Sequence, residues 1–471
     1  MRLLVAGLED LSMSASDQRL SAHGEPTAID VSEWIGSSEL SSLQKKVIAL
    51  VGCSLVMDGF DTQSIGFVAP TLVSVWRLQP SETAHLFAAG LFGMLTGAIA
   101  LGWLSDQIGR RRVLLGATLF FGLCSAATVL TVNISQMAVL RFFTGFGIGG
   151  VMGNATALIS ELSPRHLRAS PLMWASCGFT GGAMLGGFVA AVLIPVLGWQ
   201  SIFAIGGVLP LLIALMMWRS LPESPQFLVL RQLRLDEVRK LLQRISPQRT
   251  VPVDVRLTVG ESRTAAVPLI ALLTPERRFV TVLLWILSFA NLLNLYFLAN
   301  WLPLLSVRMG YPKSIGILMG TLLQFGGLVG AVALGRLIDR MGFFRVLSIV
   351  YAIAMLGVGY LGTPEISIPI RLALILLSGI CIVGAQPAIN ALAAIVYPTE
   401  IRATGVGWAL GVGRAGSIVG PLVTAHLLAM QWSNQALFWA AAIPAGLSCL
   451  FILALARTDR HAGDLRGSWA T

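Results

Sequence analysis

Long apolar runs separated by short polar stretches set the rhythm of this chain. Twelve runs of about 20 residues lie near 47–72, 84–104, 113–132, 136–160, 171–195, 200–218, 279–302, 314–338, 344–362, 369–396, 403–428 and 434–456. Each is long enough, as an α-helix, to cross a hydrocarbon core of roughly 30 Å. The pattern predicts an all-α membrane protein of twelve transmembrane helices, called spans 1 to 12. Two polar stretches are longer than turns: residues 1–45, expected to be a disordered tail, and the Arg-rich 219–278. The expected organisation is a tail over 1–45, a six-helix half over 46–218, a central loop over 219–278, a second half over 279–456 and a tail over 457–471. The opening MRLLVAGLEDL lacks the basic-then-apolar layout of a signal peptide, because Glu9 and Asp10 interrupt it. Met13 is an alternative start.

Composition agrees. Of 471 residues, 55% are hydrophobic and 12% charged, about half the charged share of soluble domains. A net charge of +10 could point to nucleic acid, but its placement says otherwise. Twenty-seven of the 33 Lys and Arg fall in the tails and in the connections after even-numbered spans. Only Arg77, Arg308, Lys313 and Arg371 fall on the opposite side, while Arg141 and Arg414 lie inside spans. That asymmetry places both termini in the cytoplasm. The five cysteines sit in apolar spans at scattered spacing, a pattern of neither disulfides nor metal ligands.

The chain repeats itself. GWLSDQIGRRR (102–112) matches GRLIDRMGFFR (335–345) at an offset of 233, and PRHLRA (164–169) matches PTEIRA (398–403) at 234. Trp174, Gly182 and Gly186 match Trp408, Gly416 and Gly420, also at 234. Each half has six spans, so both copies share one orientation, as in transporters built from parallel repeats. In the central loop, Val238, Leu241, Leu242 and Ile245 form an apolar stripe beside Arg239, Lys240 and Arg244. It reads as an amphipathic helix on the inner leaflet, the alternative being a linker helix packed on the protein.

These features carry a resemblance. The halves, the G-x-L-x-D-x-x-G-R-R-R stretch after span 2 and its weaker copy after span 8 resemble the major facilitator superfamily. DGFDTQSIGFVAP in span 1 and YPTEIRATGVGWALGVGRAGSIVGP (397–421) resemble its bacterial aromatic acid:proton symporter family. The resemblance implies a multi-pass protein of the inner membrane, working as a monomer on a small aromatic acid and protons, without cofactor or metal. Gly153, where span 4 of the family commonly has proline, and Pro387 depart from its pattern.

Asp58 and Asp61 interrupt span 1, where each acid costs roughly 2.5–3.5 kcal/mol at mid-membrane. Adding 233 lands on Asn291 and Asn294, so the second half carries neutral amides at the same depths. What aspartate adds over asparagine is a proton that can leave. The pair is therefore the candidate proton-coupling site, holding at least one proton near neutral pH as a coupled unit. The alternatives are a static Asp–Arg pair and a cap on a half-helix broken at Gly59.

Arg414 lies level with Asp58 and Arg141 nearer the outer end of span 4. A membrane-buried Arg must be paired, face water or meet an anion, so each is a candidate for holding a substrate carboxylate. Asn154, Asn291, Asn294, Gln386 and Asn390 are scarce amides in spans 4, 7 and 10, which surround the central cavity in the superfamily this chain resembles. Tyr296 and Trp301 are candidates for stacking on a ring. By the same resemblance, Asp106 with Arg110 and Arg112, joined by Glu161 and Arg402, forms a cytoplasmic latch. Asp339 belongs to a weaker second latch, where Phe343 and Phe344 replace two arginines.

The leading expectation is import of a benzoate or hydroxybenzoate by proton symport. The alternatives are a sugar symporter, suggested by PESPQFL (222–228), or a drug:proton antiporter. A sensor would need an output domain, and an enzyme would need a metal, nucleophile or phosphate motif. The sequence shows neither.

Overall fold

The computed structural model describes residues 28–165, 169–252, 255–260, 269–275, 277–398 and 401–467. Residues 1–27 of the expected tail lie outside these, as do 166–168 and 399–400 within the repeated P-x-x-x-R-A stretch.

All twelve runs are helices. Spans 1 to 6 are Ser42–Trp76, Pro80–Ile108, Arg110–Thr128, Ile134–Leu162, Ala169–Leu197 and Gln200–Ser220. Spans 7, 8, 9, 11 and 12 are Arg278–Arg308, Lys313–Met341, Phe343–Tyr360, Arg402–Ala429 and Asn434–Gly467. By length and composition, ten helices among the described residues are apolar enough to cross a membrane. Spans 1 and 3 fall outside that group, because two aspartates interrupt one and three arginines open the other. Span 10 is broken into Ile368–Ser378, a π-helical turn Gly379–Val383 and Gln386–Val396. Pro387 explains the break: it has no N–H to return to the preceding turn. Such turns are frequent at functional positions.

The repeat is visible in packing as well as sequence. A Cβ on Gly182 would collide with the Val56 carbonyl, and one on Gly416 with the Phe289 carbonyl. Val56 and Phe289 are themselves 233 apart, so span 5 crosses span 1 as span 11 crosses span 7. Glycine at these crossings lets the backbones touch. The turns of the two loop motifs agree too: Gly109 and Gly342 take φ of 104° and 82°, a region that side-chain-bearing residues avoid.

The halves close on each other at the end of the bundle remote from the termini. There Gln63 Nε2 donates to the Ala299 carbonyl at 3.2 Å, and Lys313 Nζ to Ser74 Oγ at 2.6 Å. Phe87 meets Trp301 edge-on at 5.4 Å. Trp301 is fully buried in this closure.

At the terminal end one sequence reading needs correction, and of two open readings the second holds. Within the expected disordered tail, Ala28–Asp30 forms strand β1 and pairs in parallel with β2 (Arg256–Thr258) of the central loop. Asp30 then caps the helix Val31–Gly36, accepting from Ser32 N at 2.7 Å. The helix Leu235–Ile245 forms as expected, but its stripe Val238, Leu241, Leu242 and Ile245 is buried against the protein and not in the leaflet. Its partners are the short helices Val31–Gly36 and Pro225–Leu230 and the foot of span 1.

Candidate functional site

Asp58 and Asp61 lie one helical turn apart but enter different surroundings. Asp61 points into the first half. Its Oδ2 pairs with Arg141 Nη1 at 2.8 Å, with both side chains almost fully buried, 1% and 4% exposed. Ser125 of span 3 donates to its Oδ1 at 2.6 Å. The Arg141 guanidinium also reaches Thr144 at 3.1 Å and Thr128 at 3.3 Å, and stacks 4.6 Å over the Phe203 ring. Arg141 is thus held by spans 1, 3, 4 and 6 of its own half. Against the expectation that it holds a substrate carboxylate, its two Nη groups are engaged within the half by Asp61, Thr128 and Thr144, while its buried Nε has no partner among the described residues. Beside the pair lies a cavity of about 30 Å³, lined by Asp61, Thr62, Phe87, Met94, Arg141 and Asn300 among others. That has room for a water or two, where a benzene ring needs roughly 150 Å³.

Asp58 is fully buried yet poorly satisfied. Thr62 donates to its Oδ1 at 3.3 Å, while Oδ2 has no hydrogen-bond partner among the described residues. Arg414, from the opposite half, is within electrostatic range. Arg414 lies near Tyr296, and its Nη1 and Nη2 lie 4.0 Å from the sulfurs of Met94 and Met152. Among the described residues no carboxylate comes within 4.0 Å of Arg414. The middle of the bundle therefore presents a cation without an ion pair, facing a carboxyl without a cation.

A chain of amides runs through the second half. Tyr351 OH donates to Asn291 Oδ1 at 2.6 Å, Asn291 Nδ2 to Gln386 Oε1 at 2.6 Å, and Gln386 Nε2 to Asn390 Oδ1 at 3.1 Å. Gln386 sits where span 10 breaks, which turns its side chain toward span 7. Gln386 and Asn390 are half-buried. A Cβ on Gly153, Gly407 or Gly411 would meet no atom within 4 Å, so there is open space on the terminal side of Arg414. The other expected amides are placed differently. Asn154 Nδ2 bonds back to the Gly150 carbonyl at 2.7 Å. Asn294 is wholly buried, with neither its oxygen nor its nitrogen partnered among the described residues.

At the terminal end Arg110 Nε pairs with Glu161 Oε1 at 2.9 Å, and Ser224 donates to the other Glu161 oxygen. Arg231 Nη2 donates to the Asp106 carbonyl at 3.1 Å, and Arg402 Nε to the Tyr397 carbonyl at 3.3 Å. Glu223 accepts from the Arg111 and Ser224 amides at 2.9 and 3.0 Å. Asp339 closes span 8 in the second loop motif, one residue before Arg340. The sequence reading missed Ser125, Phe203, Tyr351, Glu223 and Ser224. Only the last two carried a signal, in PESPQFL.

The model of the Major Facilitator Superfamily matches residues 51–421. The chain belongs to that superfamily. Relatives include the 4-hydroxybenzoate transporter PcaK of Pseudomonas putida, 38% identical over 90% of this chain and 95% of that one. The gallate transporter of the same species is 36% identical over 90% and 95%. The benzoate transport protein of Acinetobacter baylyi is 31% identical over 90% and 92%. These are transporters, which sets the chain among membrane carriers and apart from enzymes. In fold it is similar to the partially occluded, inward-open xylose transporter XylE of E. coli, with a TM-score of 0.69 at 18% identity over 88% of this chain and 98% of that one.

Proposed function

We propose that this carrier imports an aromatic carboxylate of the benzoate or hydroxybenzoate type by proton symport across a bacterial inner membrane. It would work as a monomer with both termini in the cytoplasm, as the basic bias of the terminal side supports. The observation that carries the reading is Arg414 at the middle of the bundle, beside the Met94 and Met152 sulfurs and without a carboxylate in ion-pair range among the described residues. A neutral sugar gives such a cation hydrogen-bond acceptors but no counter-charge, and a cationic drug would be repelled by it. A planar guanidinium takes a carboxylate with two parallel bonds. The names of the relatives point to the same class of substrate.

Coupling follows from competition. Without substrate, ionised Asp58 is the nearest anion to Arg414. When the substrate carboxylate takes the guanidinium, the Arg414 field no longer offsets the burial of the Asp58 charge, and an unpaired buried charge is costly. It then takes up a proton, and the loaded centre carries cation, anion and neutral acid. Asn291, Gln386 and Asn390 offer amide groups to the far side of the ring. Asp61 holds Arg141 and shapes span 1 beside this centre. Loading biases the balance between the two faces only by its differential affinity for them. The test is uptake of labelled 4-hydroxybenzoate into proteoliposomes. Accumulation should need an inward proton gradient and collapse with a protonophore. Uptake indifferent to the gradient would sink the symport.

A further inference from the structure

Apart from the transport centre, a second cavity of about 420 Å³ opens at the terminal end, beneath the turn between spans 2 and 3. Five cations line it: Arg111, Arg112, Arg234, Lys240 and Arg244, against Glu223 and Glu237. Both acids are already engaged. Glu223 accepts from the Arg111 and Ser224 amides, and Glu237 pairs with Arg234 at 3.5 Å. Arg111 is spent in part on the Trp218 carbonyl at 2.7 Å, while its buried Nε has no partner among the described residues. That leaves Arg112, Lys240 and Arg244 with no carboxylate within 4.0 Å among the described residues. Three cations converging on one cavity repel each other unless an anion joins them.

The level of the cavity says what kind of anion. Trp218, at the inner end of span 6, is 59% exposed and marks the interfacial depth at which tryptophan collects. Ile108 and Leu233, both in the cavity wall, are exposed apolar side chains at the same end. One wall is thus basic and water-facing, and the other apolar and level with the membrane boundary. We infer that this cavity binds the phosphate headgroup of an anionic phospholipid of the cytoplasmic leaflet, with Arg112, Lys240 and Arg244 on the phosphate and the acyl stem along Ile108 and Leu233. The helix Leu235–Ile245 would then meet the membrane through its basic face, its apolar stripe being seated on the protein.

The test uses the full chain, delipidated in detergent, with phosphatidylglycerol and phosphatidylcholine titrated in native mass spectrometry. Lys240→Gln/Arg244→Gln removes two exposed charges outside the transport centre, and Lys240→Arg/Arg244→Arg keeps them. Wild type should prefer phosphatidylglycerol, the Gln pair should bind it at least about 10-fold more weakly, and the Arg pair should match wild type, since each basic residue at a membrane surface is worth about a factor of five. Equal binding of the two lipids by wild type, or unchanged phosphatidylglycerol affinity in the Gln pair, would overturn the inference. So would displacement of the lipid by millimolar inorganic phosphate, which would make this a site for a soluble anion.

Discussion

Removing Arg141 should cost the protein its fold before it costs the substrate its site. The guanidinium makes an ion pair at 2.8 Å and two hydroxyl contacts at 3.1 and 3.3 Å, and lies over Phe203. Neutral hydrogen bonds contribute about 0.5–1.5 kcal/mol each. Electrostatics weighs more: Arg141→Gln leaves the Asp61 carboxyl 1% exposed and without its cation, with Ser125 as its remaining donor. Breaking a buried pair from one side costs roughly 3–5 kcal/mol, whereas replacing both partners by neutral groups costs far less. Arg141→Gln and Asp61→Asn should each destabilise by that amount, and the double variant should recover most of the loss. Thermal unfolding of the purified single and double variants in detergent measures the coupling. Single variants as stable as wild type, combined with lost substrate binding, would refute the static pair and return Arg141 to the substrate site.

Asp58→Asn should leave stability near wild type and abolish gradient-driven accumulation while exchange of substrate down its own gradient continues; uptake and counterflow in proteoliposomes separate the two. Tyr351→Phe removes the donor to Asn291 at 2.6 Å, a bond worth about 1 kcal/mol, so KM should rise several-fold with proton dependence intact. Asp106→Asn should slow transport without changing the rank order of substrates, since Asp106 lies at the terminal end, away from Arg414; competition assays with a benzoate series check this.

The twelve spans and the two-fold were legible because membrane burial writes itself as long apolar runs and because one offset recurs. What the sequence could not decide was which Arg meets which Asp. Depth put Arg414 level with Asp58 and Arg141 near Asp61, but pairing depends on how spans 1, 3, 4 and 6 are rotated about their axes. Tyr351 was hidden for the same reason, one aromatic of several in an apolar span, with its partner 60 residues away. The stripe on Leu235–Ile245 has the same periodicity whether it faces lipid or protein. Strand β1 is three residues long and pairs across more than 200 residues, so no local pattern marks it.

The most direct test of the coupling is a proton signal driven by substrate. Proteoliposomes are loaded with a pH-sensitive dye at equal internal and external pH, and 4-hydroxybenzoate or 4-hydroxybenzamide is added outside. Wild type should acidify the lumen on addition of the acid, well beyond protein-free liposomes, and give no signal with the amide. Asp58→Asn should fall to the protein-free level, and Arg414→Lys should lose most of the acid response, because a point charge cannot reproduce the two-pronged contact. A full acid-driven signal in Asp58→Asn, or an equal response to acid and amide in wild type, would contradict the account.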